Sequence, residues 1–139
     1  MARNWNQRMI DEFHAKRGKG ITNFGDRLLL LTTEGAKSGQ PRTTPLAYHM
    51  DGDRYVVAAS MGGAPTHPAW YHNLVKHRKA TIEVGDEKFA VKATPVPKGP
   101  ERDRLYNDHA AIMPGFADYE TKTTRIIPVV VLERIAQAY

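Results

Sequence analysis

Lys37, Ser38 and Arg42 stand in the segment Glu34-Gly35-Ala36-Lys37-Ser38-Gly39-Gln40-Pro41-Arg42, where two cations and a hydroxyl accompany flexible glycines. Such a connection can hold a phosphate through backbone N–H groups and fixed positive charge. An ordinary polar turn has the same composition. Further on, Ser60-Met61-Gly62-Gly63-Ala64-Pro65 has glycines that let backbone approach a ligand closely. It runs into Thr66-His67-Pro68, a helix start whose partial positive charge suits an anion or a ring edge. A surface loop is the plainer alternative. Trp70, Tyr71 and Asn73 follow on that helix, and their indole, phenol and amide place polar handles on large contact surfaces. Together these groups could hold a large, planar, phosphorylated cofactor.

Other chemistries are poorly supported. A nucleotide phosphate loop requires glycine directly before its lysine, and Ala36 occupies that position. The glycine fingerprint of dinucleotide-binding folds is absent. His67, His72 and His77 are spaced five apart and rotate off any common helix face, and no histidine pair has zinc-helix spacing, so no metal is expected. Ser60 is not in a nucleophile elbow and the chain has no cysteine, which argues against hydrolysis. Asp51 and Asp53 flank Gly52, where turn geometry explains them.

These residues need a scaffold, and 139 residues suffice for one core, so a single domain is expected over 1–139. A hydrophobic fraction of 41% with 25% charge fits a globular protein, and no apolar run approaches the ~20 residues of a membrane helix. The lack of cysteine and of a signal pattern after Met1 makes the cytoplasm the expected location. Twenty Lys and Arg against 15 Asp and Glu give +5, which favours anionic partners. Nucleic acid is one candidate, read as a non-enzymatic basic barrel, but the basic residues are scattered rather than interleaved with regularly spaced aromatics.

Trp5, Met9, Ile10 and Phe13 recur at helical spacing among charged residues that include Arg3, predicting an amphipathic helix within 1–20, ended by Gly18 and Gly20. With Arg8, Lys16, Arg17 and Lys19 it could also rest peripherally on an anionic membrane. Six strands are predicted at 28–33, 43–50, 54–59, 80–84, 88–94 and 126–134. One short helix follows Pro68, and a second follows Pro100 and stops at Pro114-Gly115. Short strands without helix alternation predict a mainly β (α+β) protein with a six-stranded antiparallel split barrel over 28–134. Pro128 belongs near the start or on an edge of the last strand.

Three blocks then carry a resemblance. Leu28-Leu29-Leu30-Leu31-Thr32-Thr33 running into the 34–42 loop resembles the opening signature of the deazaflavin (F420)-dependent nitroreductase family. Gly62 to Leu74 is similar to its second block, and Pro114-Gly115-Phe116-Ala117-Asp118-Tyr119 with 123–130 to its third. The resemblance implies a split β-barrel and coenzyme F420, a deazaflavin with a phosphodiester and an acidic oligoglutamate tail.

By that resemblance Lys37, Ser38 and Arg42 would contact the phosphate and tail, and Ala58, Ala59, Ser60, Met61 and Gly63 would line the deazaflavin side. Trp70 and Asn73 would close the groove, and Tyr48, Phe116, Tyr119 and Lys122 would form the substrate mouth. Met61 stands where members often carry lysine, and Lys122 where some carry an aromatic. The implied activity is hydride transfer from reduced F420 to a small electron-poor acceptor, a nitroaromatic, quinone or enone. Ser60, Tyr48 and Tyr119 are the candidate catalytic hydrogen-bond donors. An FMN-binding reductase of the same barrel type is the alternative.

Overall fold

A computed structural model describes residues 4–135, so Arg3 of the expected polar helix face lies outside the described residues. Helix α1 (Trp5–Lys16) starts where the Asn4 side-chain oxygen accepts the Gln7 N–H at 2.8 Å. It ends where Arg17 and Gly18 turn left-handed, at φ 54° and 74°. Met9 and Phe13 are buried on its inner face, packed with Ile21, Leu28 and Leu30.

Seven strands follow: β1 (Leu28–Glu34), β2 (Pro41–Ala47), β3 (His49–Asp51), β4 (Arg54–Ala58), β5 (Lys79–Val84), β6 (Glu87–Val96) and β7 (Val129–Arg134). They form one curled antiparallel sheet in the order β2-β1-β5-β6-β7-β4-β3. Six strands were expected, and the extra one arises because 43–50 divides at Tyr48. Before Tyr48 the chain pairs with β1; after it, His49 pairs with Val56 of β4. The two edge strands are therefore consecutive in sequence, and the chain itself spans the gap between the sheet's ends.

The run of leucines in β1 works through strand alternation. Leu28 and Leu30 face α1, whereas Leu29 and Leu31 face the interior of the curl. β4 and β7 divide likewise: Val57, Val130 and Leu132 point inward, and Val56, Val129 and Val131 point out toward a helical cover. Helix α2 (Ala69–Lys76) fills the interior with Trp70, Tyr71 and Leu74. Leu74 is fully buried, so truncating it to alanine costs about 2–5 kcal/mol.

The outer cover is helix α3 (Pro100–Ile112) with helix α4 (Gly115–Thr121). Two short helices were expected beyond α1; among the described residues three α-helices are present, and α3 runs for 13 residues. Pro114-Gly115 does end α3, but Pro114 also caps α4, because proline is pre-set for a helix's first turn. The last strand starts at Val129 rather than residue 126. Pro128 has no N–H for the ladder, while its carbonyl accepts the Ala59 N–H at 2.9 Å. Among the described residues, no helix is long and apolar enough to cross a membrane.

Candidate functional site

The start of α1, the second half of β2, the end of β4, the start of α2 and helix α4 meet around a cleft of about 500 Å³. Ala58, Ser60, Met61, Trp70, Phe116 and Tyr119 all line it, although they come from three separated stretches of sequence. Trp5, Phe24 and the 44–47 segment of β2 complete the walls and were not anticipated. Trp5 is half exposed and meets Phe24 edge-on at 6.2 Å, so an exposed indole at the start of α1 was the available signal. Among the described residues, no charged side chain lines the cleft.

Ser60 is buried, and its hydroxyl has no hydrogen-bonding partner among the described residues. It precedes a tight turn, Met61–Gly63, in which three successive residues have positive φ: 48°, 64° and 84°. For Met61 this is a strained conformation, which persists only where surrounding contacts enforce it. Met61 is itself exposed at the cleft rim.

Arg125 supplies those contacts. Its Nε donates to the Ala64 carbonyl at 2.8 Å, and Nη2 donates to the carbonyls of Ala59 at 3.1 Å and Ser60 at 2.9 Å. Its Nη1 lies 2.9 Å from His67 Nδ1. Burial and the adjacent guanidinium, with a smaller effect of His72, hold His67 below its usual pKa. Arg125 lies in the 123–130 part of the third resemblance block but was given no role from sequence.

Other expected residues stand back from the cleft. Ala59 is fully buried in the interior core. A Cβ on Gly63 would lie 2.8 Å from Lys122 Cβ and 3.0 Å from the Tyr119 carbonyl, so that glycine admits α4. Lys122 extends over the Tyr119 ring, 5.8 Å from its centroid. Tyr48 lines a different hollow beside Asp26 and His49, and its hydroxyl donates to the Asp26 carbonyl at 3.3 Å. Burial, helped by Tyr55, raises its pKa and keeps the phenol neutral.

Asn73 acts as a strut between elements. Its amide oxygen accepts the Ala36 N–H at 2.9 Å and its amide nitrogen donates to Thr33 Oγ1 at 3.0 Å. The 34–42 loop thus offers fewer open donors than its glycines suggest. The N–H groups of Gly35, Ala36, Gly39 and Gln40 are all engaged within the protein, the last by Ser38 Oγ at 3.2 Å. Lys37 is exposed and has no partner among the described residues. Arg42, also exposed, lies opposite Thr33 and shares a β2 face with Thr44 and Leu46 of the cleft wall.

Behind Phe116 lies a buried histidine pair, also unanticipated. His49 Nδ1 and His109 Nδ1 are 2.7 Å apart, and the His109 ring packs edge-on against Phe116 at 4.3 Å. Burial depresses both pKa values, that of His109 to about 3. The Tyr106 hydroxyl donates to the Phe116 carbonyl, and burial together with Glu120 pushes its pKa up to about 12.

The geometry has relatives. An F420H(2)-dependent quinone reductase of Mycobacterium tuberculosis is 48% identical over 110 residues, covering 76% of this chain and 72% of that protein. A solved F420-H2-dependent reductase superposes with a TM-score of 0.70 at 36% identity, covering 77% of this chain and 94% of its own. A structure described as a domain-swapped dimer gives 0.72 at 33% identity, with 91% and 96% covered. The description of one family, F420H(2)-dependent quinone reductase, matches residues 3–134, and the chain belongs to that family.

Proposed function

We infer that this chain is an F420-dependent oxidoreductase that delivers a hydride to a quinone-type acceptor. The observation that carries the reading is the convergence of Ala58, Ser60, Met61, Trp70, Phe116 and Tyr119 on one cleft that no charged side chain lines among the described residues. Its groups suit a deazaflavin, with aromatic and aliphatic walls for a ring system and the hydroxyls of Ser60 and Tyr119 open among the described residues. Lys37 and Arg42 lie off the cleft, Arg42 on the face of β2 that continues from the wall. An apolar ring site beside separate cations matches a molecule with a planar head and an anionic tail. The acceptor class follows the quinone reductase activity named for the relatives.

Reduced F420 supplies the hydride when bound. The chain's own work is to hold the reactants together and dry, with Trp70 and Phe116 as walls. Ser60 donates a hydrogen bond toward the acceptor oxygen on which negative charge grows, and Tyr119 is a second donor at the mouth. Tyr48 is less suited, since its phenol is engaged with Asp26.

Titration with oxidised F420, followed by quenching of the tryptophans, tests this reading. Saturable binding is expected, with weaker binding of FMN, which lacks the oligoglutamate tail. Lys37→Ala should weaken F420 by about tenfold at low ionic strength and by much less at high salt. Absence of F420 binding by intact protein would contradict the proposal. The same reading has the chain working in the cytoplasm, with α1 and the turn after it touching an anionic membrane through exposed Trp5, Arg8 and Lys19. Co-sedimentation with phosphatidylglycerol vesicles, lost in Arg8→Glu, tests that contact.

A further inference from the structure

The Ser60 rim of the cleft is held in an unfavourable shape, and its internal bonding is sparse. The Gly63 N–H donates to the Ser60 carbonyl at 2.9 Å and the Ala64 N–H to the Met61 carbonyl at 3.2 Å, across a run of positive φ. Arg125 grips this turn from both ends, at Ala59 and Ser60 before it and at Ala64 after it. A planar fork with five N–H groups in fixed directions can do this; the single ammonium of lysine cannot reach the same set.

The fourth contact is of a different kind. A guanidinium only donates, so His67 Nδ1 must be the acceptor, and the proton of the neutral ring sits on Nε2. The other groups facing His67 are Tyr71 and His72 of α2, with ring centroids 5.0 Å and 5.9 Å away. No carboxylate bonds to it among the described residues, so nothing there offsets a second positive charge beside Arg125.

We propose that Arg125 is the positioning residue of this site, holding the Met61–Gly63 turn so that the Ser60 hydroxyl faces the cleft, and that its grip requires unprotonated His67. Acid then loosens the rim without unfolding the barrel. The proposal rests on the functional reading above only in taking the cleft as the deazaflavin site.

The test compares wild type, Arg125→Lys and His67→Gln by amide hydrogen exchange in the absence of cofactor, and by F420 affinity. In Arg125→Lys the Gly63 and Ala64 amides should exchange about tenfold faster, with the Ile82 amide of β5 unchanged and F420 bound about tenfold more weakly. In wild type, protection of those two amides should fall as pH drops from about 7.5 to about 5, after correction for intrinsic rates. His67→Gln should abolish that dependence, because the glutamine oxygen accepts at every pH. Unchanged exchange in Arg125→Lys, or a wild-type pH dependence in His67→Gln, overturns the proposal. If Arg125→Lys does not fold, the wild-type and His67→Gln profiles decide alone. Failure of wild type to bind F420 would contradict the functional reading, while the exchange profiles still decide the role of Arg125.

Discussion

Ser60 is buried at the cleft and its hydroxyl has no partner among the described residues, so any hydrogen bond it gives there is stronger than one in water. Replacing it by alanine removes a donor and leaves the walls intact. Ser60→Ala should therefore lower kcat by about 10²-fold, with F420 affinity changed by less than about threefold. A drop in affinity with kcat preserved would assign Ser60 to binding instead. Asn73 has a different role, because both ends of its amide are used within the protein. Asn73→Ala strands the Ala36 N–H and should cost about 1–3 kcal/mol in denaturant unfolding, together with weaker F420 binding through a loosened 34–42 loop. Wild-type stability in this variant would contradict the strut.

At the scale of elements, α4 packs against the Met61–Gly63 turn, which under the proposed function joins substrate mouth to cofactor rim. Gly63→Ala would drive a Cβ against Lys122 and the Tyr119 carbonyl at a left-handed φ. About 1–3 kcal/mol of destabilisation is expected, with a larger rise in quinone KM than in F420 Kd. Equal stability of variant and wild type would mean α4 can withdraw without cost. Much of this arrangement was legible in sequence. The leucine run of β1, the turn at Asp51-Gly52-Asp53 and the start of α2 after Pro68 each carry a local signal. The division of β2 from β3 does not, because Tyr48 is neither glycine nor proline and the break comes from a change of partner strand across the curl. Helix α4 was hidden because Pro114-Gly115 ends one helix and opens the next. Arg125 was illegible for a related reason. Three of its partners are backbone carbonyls more than 60 positions away, and a carbonyl has no residue identity to read.

For the whole molecule, histidines held neutral by the fold, two of them buried, make acid the condition to which it is most exposed. His49, His67 and His109 all have folded pKa values below the usual 6.5, so the unfolded chain binds more protons. Stability is then fully present above about pH 6.5 and declines as pH falls, by up to about 1.4 kcal/mol per pH unit for each histidine while the unfolded form is charged and the folded form is not. The loss continues toward the folded value of about 3 for His109. Denaturant unfolding at a series of pH values should show this slope, and His109→Leu should reduce it by about one proton. A flat profile between about pH 6.5 and about pH 4.5 would contradict neutral burial of the pair. The carboxylates act in a lower window. Asp51, held down by Arg104 and Arg54, and Glu12, lowered to about 2 by Lys16 and Thr22, begin to lose their contributions near ordinary carboxylate pKa values and below. Function at this scale rests on one claim, that the cleft brings reduced F420 and a quinone together. A single-turnover experiment tests it most directly: protein preloaded with one equivalent of reduced F420 is mixed rapidly with a short-chain naphthoquinone. Oxidised F420 should reappear in one exponential phase with an equal amount of quinol, slowed about 10²-fold in Ser60→Ala. Oxidation no faster than in protein-free solution, with reduced F420 demonstrably bound, would contradict it.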